Sequence, residues 1–146
     1  MSVGNEAMDL LAWMAIVLGC AAAFDDLRRR AISNWITVTG ILAGLLYHAV
    51  RGGFGGLGSA AAGMVFGFVV FLICYWLGGL GAGDLKLMAA FGAMLGPAGT
   101  FVAALLAGIA GGLLASGSFL LARQDRAIPY APAIVLGAWL ALFGSK

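Results

Sequence analysis

The chain has 146 residues, 63% of them apolar and only 10% charged, with a formal net charge of +2 and a mean hydropathy of +1.06. A water-soluble fold has too little interior to hide that much apolar side chain, and so small a charge in short scattered clusters argues against a nucleic-acid partner. An integral membrane protein of one domain remains, built from helices, because membrane β-strands alternate in polarity and these runs are apolar on every side.

The first apolar run, residues 10–24, ends abruptly at the polar stretch DDLRRRAISN, residues 25–34. A second run covers 35–50, and the Gly-rich stretch 51–58 reads as a turn. A third run, 59–77, leads into GGLGAGDLK. After Lys86 comes a short run, 87–95, stopped by Gly96 and Pro97. A fifth run covers 98–121, the polar break ARQDR follows, and a sixth covers 128–143. Since a helix needs about 20 residues to cross a bilayer core, the expected fold is an all-α bundle of about six transmembrane helices within a single domain, 1–146. Its fourth helix is short and preceded by a Gly-rich break.

Short loops rich in Lys and Arg stay in the cytoplasm. With six spans, Arg28, Arg29, Arg30, Lys86, Arg123 and Arg126 share one face and only Arg51 and Lys146 fall on the other, so the first face is cytoplasmic and both termini lie outside. The A-x-A pattern at Ala21 and Ala23 does not mark a cleaved signal peptide. The segment before it carries Glu6 and Asp9 and no basic residue, the reverse of a signal's basic start. Glycines four apart, Gly40 with Gly44, Gly63 with Gly67, Gly92 with Gly96 and Gly108 with Gly112, suit close helix packing. Trp35 and Trp76 read as interfacial anchors. Cys20 and Cys74, inside apolar runs without a CxxC pairing, read as small buried hydrophobes, and the lone His48 as an ordinary interfacial residue. No metal or cofactor is expected.

Six acidic residues are present. Glu6, Asp9 and Asp125 lie where solvated charge is the default, which leaves Asp25 with Asp26 at the end of the first span, and Asp84 at the end of GGLGAGD. Residues 77–83 hold four glycines in seven, and the run that follows is about half a span long. The chain is therefore expected to lose helical form near the membrane edge and restart, and such backbone is tolerated only where protein buries it or it lines a watery cavity. Asp84 at the restart has two readings, a cap on free N–H groups or a functional carboxylate. Asp25 and Asp26 likewise either pair with Arg28 to Arg30 or contribute to chemistry. Two carboxylates from different helices can share one proton, the ionised member acting as base on a water and the protonated one donating to a scissile carbonyl.

Three segments carry a resemblance. DLRRRAISN, residues 26–34, resembles the D-x-R-x-x-x-I-P-N segment of type IV prepilin peptidases. GAGD followed by LKL, residues 81–87, resembles their G-x-G-D-x-K-L signature, and IPYAPAIVLGA, residues 128–138, resembles their P-[YF]-G-P-A-x-x-L/I-G-A ending. A bare GxGD is weak in a chain with 24 glycines; the three segments in order are specific. The resemblance implies a GxGD intramembrane aspartyl protease that removes the leader of type IV prepilins or pseudopilins at the cytoplasmic face of the inner membrane. Its two catalytic aspartates fall on Asp26 and Asp84, with Gly81, Gly83, Lys86 and Asn34 in binding or supporting positions. Ser33 stands where the family has proline, and as a helix-capping type it can also begin the next helix. The large members' cytoplasmic domain with paired CxxC motifs, and the methyl transfer that goes with it, has no counterpart here, so the chain looks like the compact peptidase-only members that process Flp-type pilins in tight-adherence systems.

On this reading the precursor's apolar helix enters beside the spans, its leader stays in the cytoplasm, and the Gly-rich segment lets its extended backbone approach Asp84. Lys86 either tunes the carboxylates or meets the anionic lipid surface. The competing readings are a small transporter or channel subunit and a structural pilus-assembly subunit. No charge lies in the middle of any span, where a relay across the whole membrane would need one.

Overall fold

A computed structural model describes residues 3–29, 31–77, 80–120 and 131–144, with the side chains of 3–9 and 114–120 left aside. Four helices make up this part: α1 (Val3–Arg29), α2 (Asn34–Trp76), α3 (Ala82–Leu120) and α4 (Ala131–Gly144). Gly78, Gly79, Arg30, Arg123, Asp125, Arg126, Lys146, the ARQDR break and the start of the expected sixth run at Ile128 lie outside the described residues. So do the side chains of Glu6 and Asp9.

Of the six expected runs, the second and third join in α2 and the fourth and fifth in α3, each pair separated by a kink at a single glycine. The α2 helix runs for 43 residues, which if straight would measure roughly 65 Å, about twice a bilayer core. It is interrupted at Gly53, with φ 55° and ψ −138°, a left-handed conformation that glycine adopts without penalty. The rest of the stretch 51–58 stays helical. Beyond the interruption the chain comes back on itself: a Cβ on Gly56 would collide with the carbonyl of His48. The α3 helix is interrupted in the same way at Gly96, φ 68°, directly before Pro97. Gly67 lies against both Met88 and Thr100, residues about 18 Å apart along a straight helix, so the arms 82–95 and 97–120 also fold back.

The interior forms around the arm 82–95. Leu87, Met88, Ala90, Phe91 and Ala93 are fully buried and Met94 almost so. The arm is enclosed by the two arms of α2, which approach at backbone distance where side chains are missing. Gly44 sits against the backbone of Ala93 and Met94, and Gly63 against that of Gly92 and Gly96. The four-residue glycine spacing at 40/44, 63/67 and 92/96 is thus the packing seam. Gly108 and Gly112 instead line a groove of about 330 Å³ with Val70, Cys74 and Leu80. The pairing of α2 with α3 is the most extensive, α4 packs on α3, and α1 meets the others more sparsely, one link being the Trp139 Nε1–H bond to the Ala15 carbonyl at 3.1 Å.

The exterior is apolar. Phe54, Trp13, Leu46, Ile109 and Leu140 all stand exposed, as a lipid-facing surface requires and a water-facing one does not tolerate in such quantity. Among the described residues three helices are long and apolar enough to cross a membrane, and the described part of α4 is apolar but shorter. Trp35 and Trp76 are both 79% exposed, in keeping with interfacial anchors. Cys20 corrects the expectation of burial, since its face of α1 points outward; Cys74 is half-buried.

His48 has a structural task. Pro97 offers no N–H to the Ala93 carbonyl four residues back, and the turn at Gly96 disrupts the carbonyls beside it. One of these, Met94 O, accepts a 2.8 Å bond from His48 Nε2, so the ring's proton sits on Nε2. Thr100 Oγ1–H bonds to the Gly96 carbonyl at 2.5 Å.

His48→Leu removes the donor to Met94 and is expected to lower the stability of the detergent-purified protein by about 1–3 kcal/mol, read as a drop in thermal midpoint. Gly63→Val forces the α2 and α3 backbones apart and costs at least about 1–3 kcal/mol, whereas Gly58→Ala, with open space around its Cβ, leaves the midpoint unchanged or raises it.

Candidate active site

The end of α1, the start of α2, the start of α3 and the start of α4 meet at one end of the molecule. Three contacts tie them. Gly83 packs on Ile32 so closely that a Cβ would sit 3.3 Å from Ile32 Cβ, which holds the restart of α3 against the α1–α2 connection. Lys86 Nζ donates to Asn34 Oδ1 at 2.8 Å, linking the first turns of α3 and α2. The N–H of Ala131, which opens α4, donates to Asp26 Oδ2 at 3.3 Å.

Asp26 and Asp84 are both buried, at 8% and 7% exposure; with Thr37 and Thr100 they are the buried polar residues among those described. Asp84 stands in the first turn of α3, and its Oδ2 accepts the Gly81 N–H at 3.0 Å while its own N–H bonds to the Gly81 carbonyl at 3.1 Å. This is the acidic half of a capping box, so the capping role anticipated for Asp84 is present. One carboxylate oxygen performs it. The Gly83–Ile32 contact and the Ala131–Asp26 bond bring the helix ends that carry the two carboxylates to the same end of the molecule, although 58 positions separate them in the chain.

The adjacent Asp25 behaves differently. Its Oδ1 lies 3.4 Å from Arg29 Nε, one turn on, with the arginine exposed and the carboxylate half-buried, and its Oδ2 accepts the Ser33 N–H at 2.8 Å. Pairing with the arginine cluster therefore describes Asp25. Ser33 does occupy the N-cap of α2, but its side chain makes no capping bond, which corrects that part of the expectation. Its φ of −62° is the value proline is locked to, so the backbone shape of the family's proline is retained. What serine adds is an N–H for Asp25.

Gly81 and Gly83 thus have distinct tasks: the N–H of Gly81 holds Asp84, and the bare Cα of Gly83 lets Ile32 close in. Lys86 and Asn34 are brought together with each other. The Ala131 N–H is a partner that residue type alone does not reveal; its signal in the sequence is Pro132, since proline early in a helix marks an N-terminus where N–H groups lack internal acceptors.

Among the described residues the chain is all-helical and outwardly apolar, as a membrane protein is, and carries two buried carboxylates where its helices converge. The model of the type IV leader peptidase family matches residues 11–116, and the chain belongs to that family. It is similar to the prepilin leader peptidase/N-methyltransferase of Aeromonas hydrophila, 33% identical over 95% of this chain and 49% of that protein. The protein of the same name from Aeromonas salmonicida strain A449 is 32% identical over the same shares, and that from Xanthomonas campestris pv. campestris is 30% identical over 88% of this chain and 49% of the relative. The chain spans about half the length of the curated relatives it matches. No solved structure matches it significantly.

If the Asp25 bond holds the connection only through Ser33 N–H, Asp25→Ala lowers stability by about 1 kcal/mol. In a Ser33→Pro background, which already lacks that N–H, the same substitution costs clearly less. Equal losses in both backgrounds, measured by thermal denaturation as a double-mutant cycle, would refute the arrangement.

Proposed function

We propose that the chain is a prepilin leader peptidase, an aspartic endopeptidase that uses Asp26 and Asp84 to hydrolyse the leader peptide bond of type IV, Flp-like prepilins. The observation that carries this reading is the burial of two carboxylates from helices far apart in sequence, each fixed by a backbone N–H at the start of a helix. The family shared with peptidases supports the reaction class.

In the reaction the ionised carboxylate takes a proton from a water molecule as the water oxygen adds to the scissile carbonyl carbon. The protonated carboxyl gives its proton to the carbonyl oxygen. When the tetrahedral intermediate collapses, the C–N bond breaks, the amine leaves with the proton held by the first carboxyl, and the second recovers its own. Burial favours this division of labour, because two carboxylates in one poorly solvated neighbourhood resist simultaneous ionisation. The N–H groups of Gly81 and Ala131 hold one oxygen of each carboxyl and leave the other for water and substrate.

The bilayer arrangement belongs to the same proposal. Folded back at Gly53 and Gly96, α2 and α3 supply two crossings each, which with α1 and α4 makes six. Arg28, Arg29 and Lys86 then lie at the cytoplasmic edge together with the aspartates, Arg51 lies at the opposite edge, and both termini are outside. On this proposal the chain is a multi-pass peptidase of the inner membrane with leader hydrolysis as its reaction.

In membranes supplied with a Flp-type prepilin, Asp26→Asn and Asp84→Asn are each expected to reduce leader cleavage at least about a hundredfold, and Asp25→Asn to retain it. Full cleavage by Asp84→Asn would overturn the aspartic mechanism and bring forward a transporter or assembly subunit.

A further inference from the structure

Between the two arms of α2 and the first arm of α3 runs a groove of about 490 Å³, walled by Val38, Ile41, Val65 and Phe68 among others. Val38, Val65 and Phe68 are each 40–55% exposed, so the groove opens on the apolar exterior. One end differs. There the lining is Asn34 and Lys86, joined by the 2.8 Å bond from Nζ to Oδ1. With its oxygen engaged by Lys86, the Asn34 amide offers two N–H donors, and the ammonium has two further protons to give. An apolar trough thus ends in a positively charged cluster of donors.

We propose that this groove binds an anionic phospholipid, with an acyl chain along the apolar wall and the phosphate on Lys86 Nζ and Asn34 Nδ2. The proposal rests on the reading of this end as a membrane edge and not on the peptidase chemistry. Charge selects the occupant: an ammonium at the membrane surface attracts anionic headgroups, and the Arg28 and Arg29 side chains at the same end add to the positive charge.

The test is photolabelling of the full chain reconstituted in phosphatidylcholine vesicles. The vesicles carry either a photoreactive phosphatidylglycerol or a photoreactive phosphatidylcholine at equal mole fraction, and the label is located by peptide mass spectrometry. Phosphatidylglycerol is expected to label the groove segments of α2 about fivefold more than phosphatidylcholine. Lys86→Gln, which keeps a donor for Asn34, removes that preference; Val65→Trp, which obstructs the trough, lowers labelling by both lipids. Asp84→Asn labels as the parent does, so loss of cleavage and loss of lipid binding are read separately. Equal labelling by the two lipids in the parent, or displacement of the label by added prepilin, would overturn the proposal.

Discussion

Everything in this fold depends on how closely the backbones of α2 and α3 approach. A helix crossing normally keeps its axes apart by the width of two layers of side chains. Here glycine removes those layers at Gly44, Gly63, Gly67 and Gly92, and the arm 82–95 sinks between the arms of α2 until its residues 87–94 are buried. A lipid environment offers no hydrophobic force to press helices together, so dense contact and hydrogen bonding must hold them. That is why the fold cannot spare these glycines, while Gly55 and Gly58, whose Cβ positions are open, are not so constrained.

The buried arm also begins at the place where chemistry is proposed. Its shortness follows from its position, since it starts inside the assembly after the α2–α3 connection and ends at Gly96. A polar group at such a start would be costly unless satisfied, and the two buried carboxylates are satisfied by the same device. Each accepts an N–H that the start of a helix leaves without an internal partner, Gly81 for Asp84 and Ala131 for Asp26. The positive ends of α3 and α4 therefore both face the carboxylate pair, which stabilises negative charge in a place that has little water to do so.

Much of this was legible in the sequence because its causes are local. The apolar runs, the restart before Asp84, the break at Gly96–Pro97 and the glycine spacing all follow from single residues or short periods. The turn at 51–58 was read too broadly because composition marks a Gly-rich stretch but not which glycine takes the left-handed conformation; only Gly53 does. The separation of Asp25 from Asp26 rests on partners distant in the chain. Nothing in DDLRRR says that one carboxylate turns to Ser33 and Arg29 while the other turns to Ala131. Likewise the cap at Ser33 was anticipated from residue type, while the actual bond uses its backbone N–H.

The bond between Ala131 and Asp26 spans 105 positions. A chain made from its N-terminus therefore produces Asp26 first, Asp84 later and the helix that fixes Asp26 last. Until α4 docks, Asp26 lacks its backbone donor and the pair is incomplete, so the order of synthesis itself delays assembly of the site. The proposed hydrolytic centre is therefore incomplete during the early steps of insertion into the membrane.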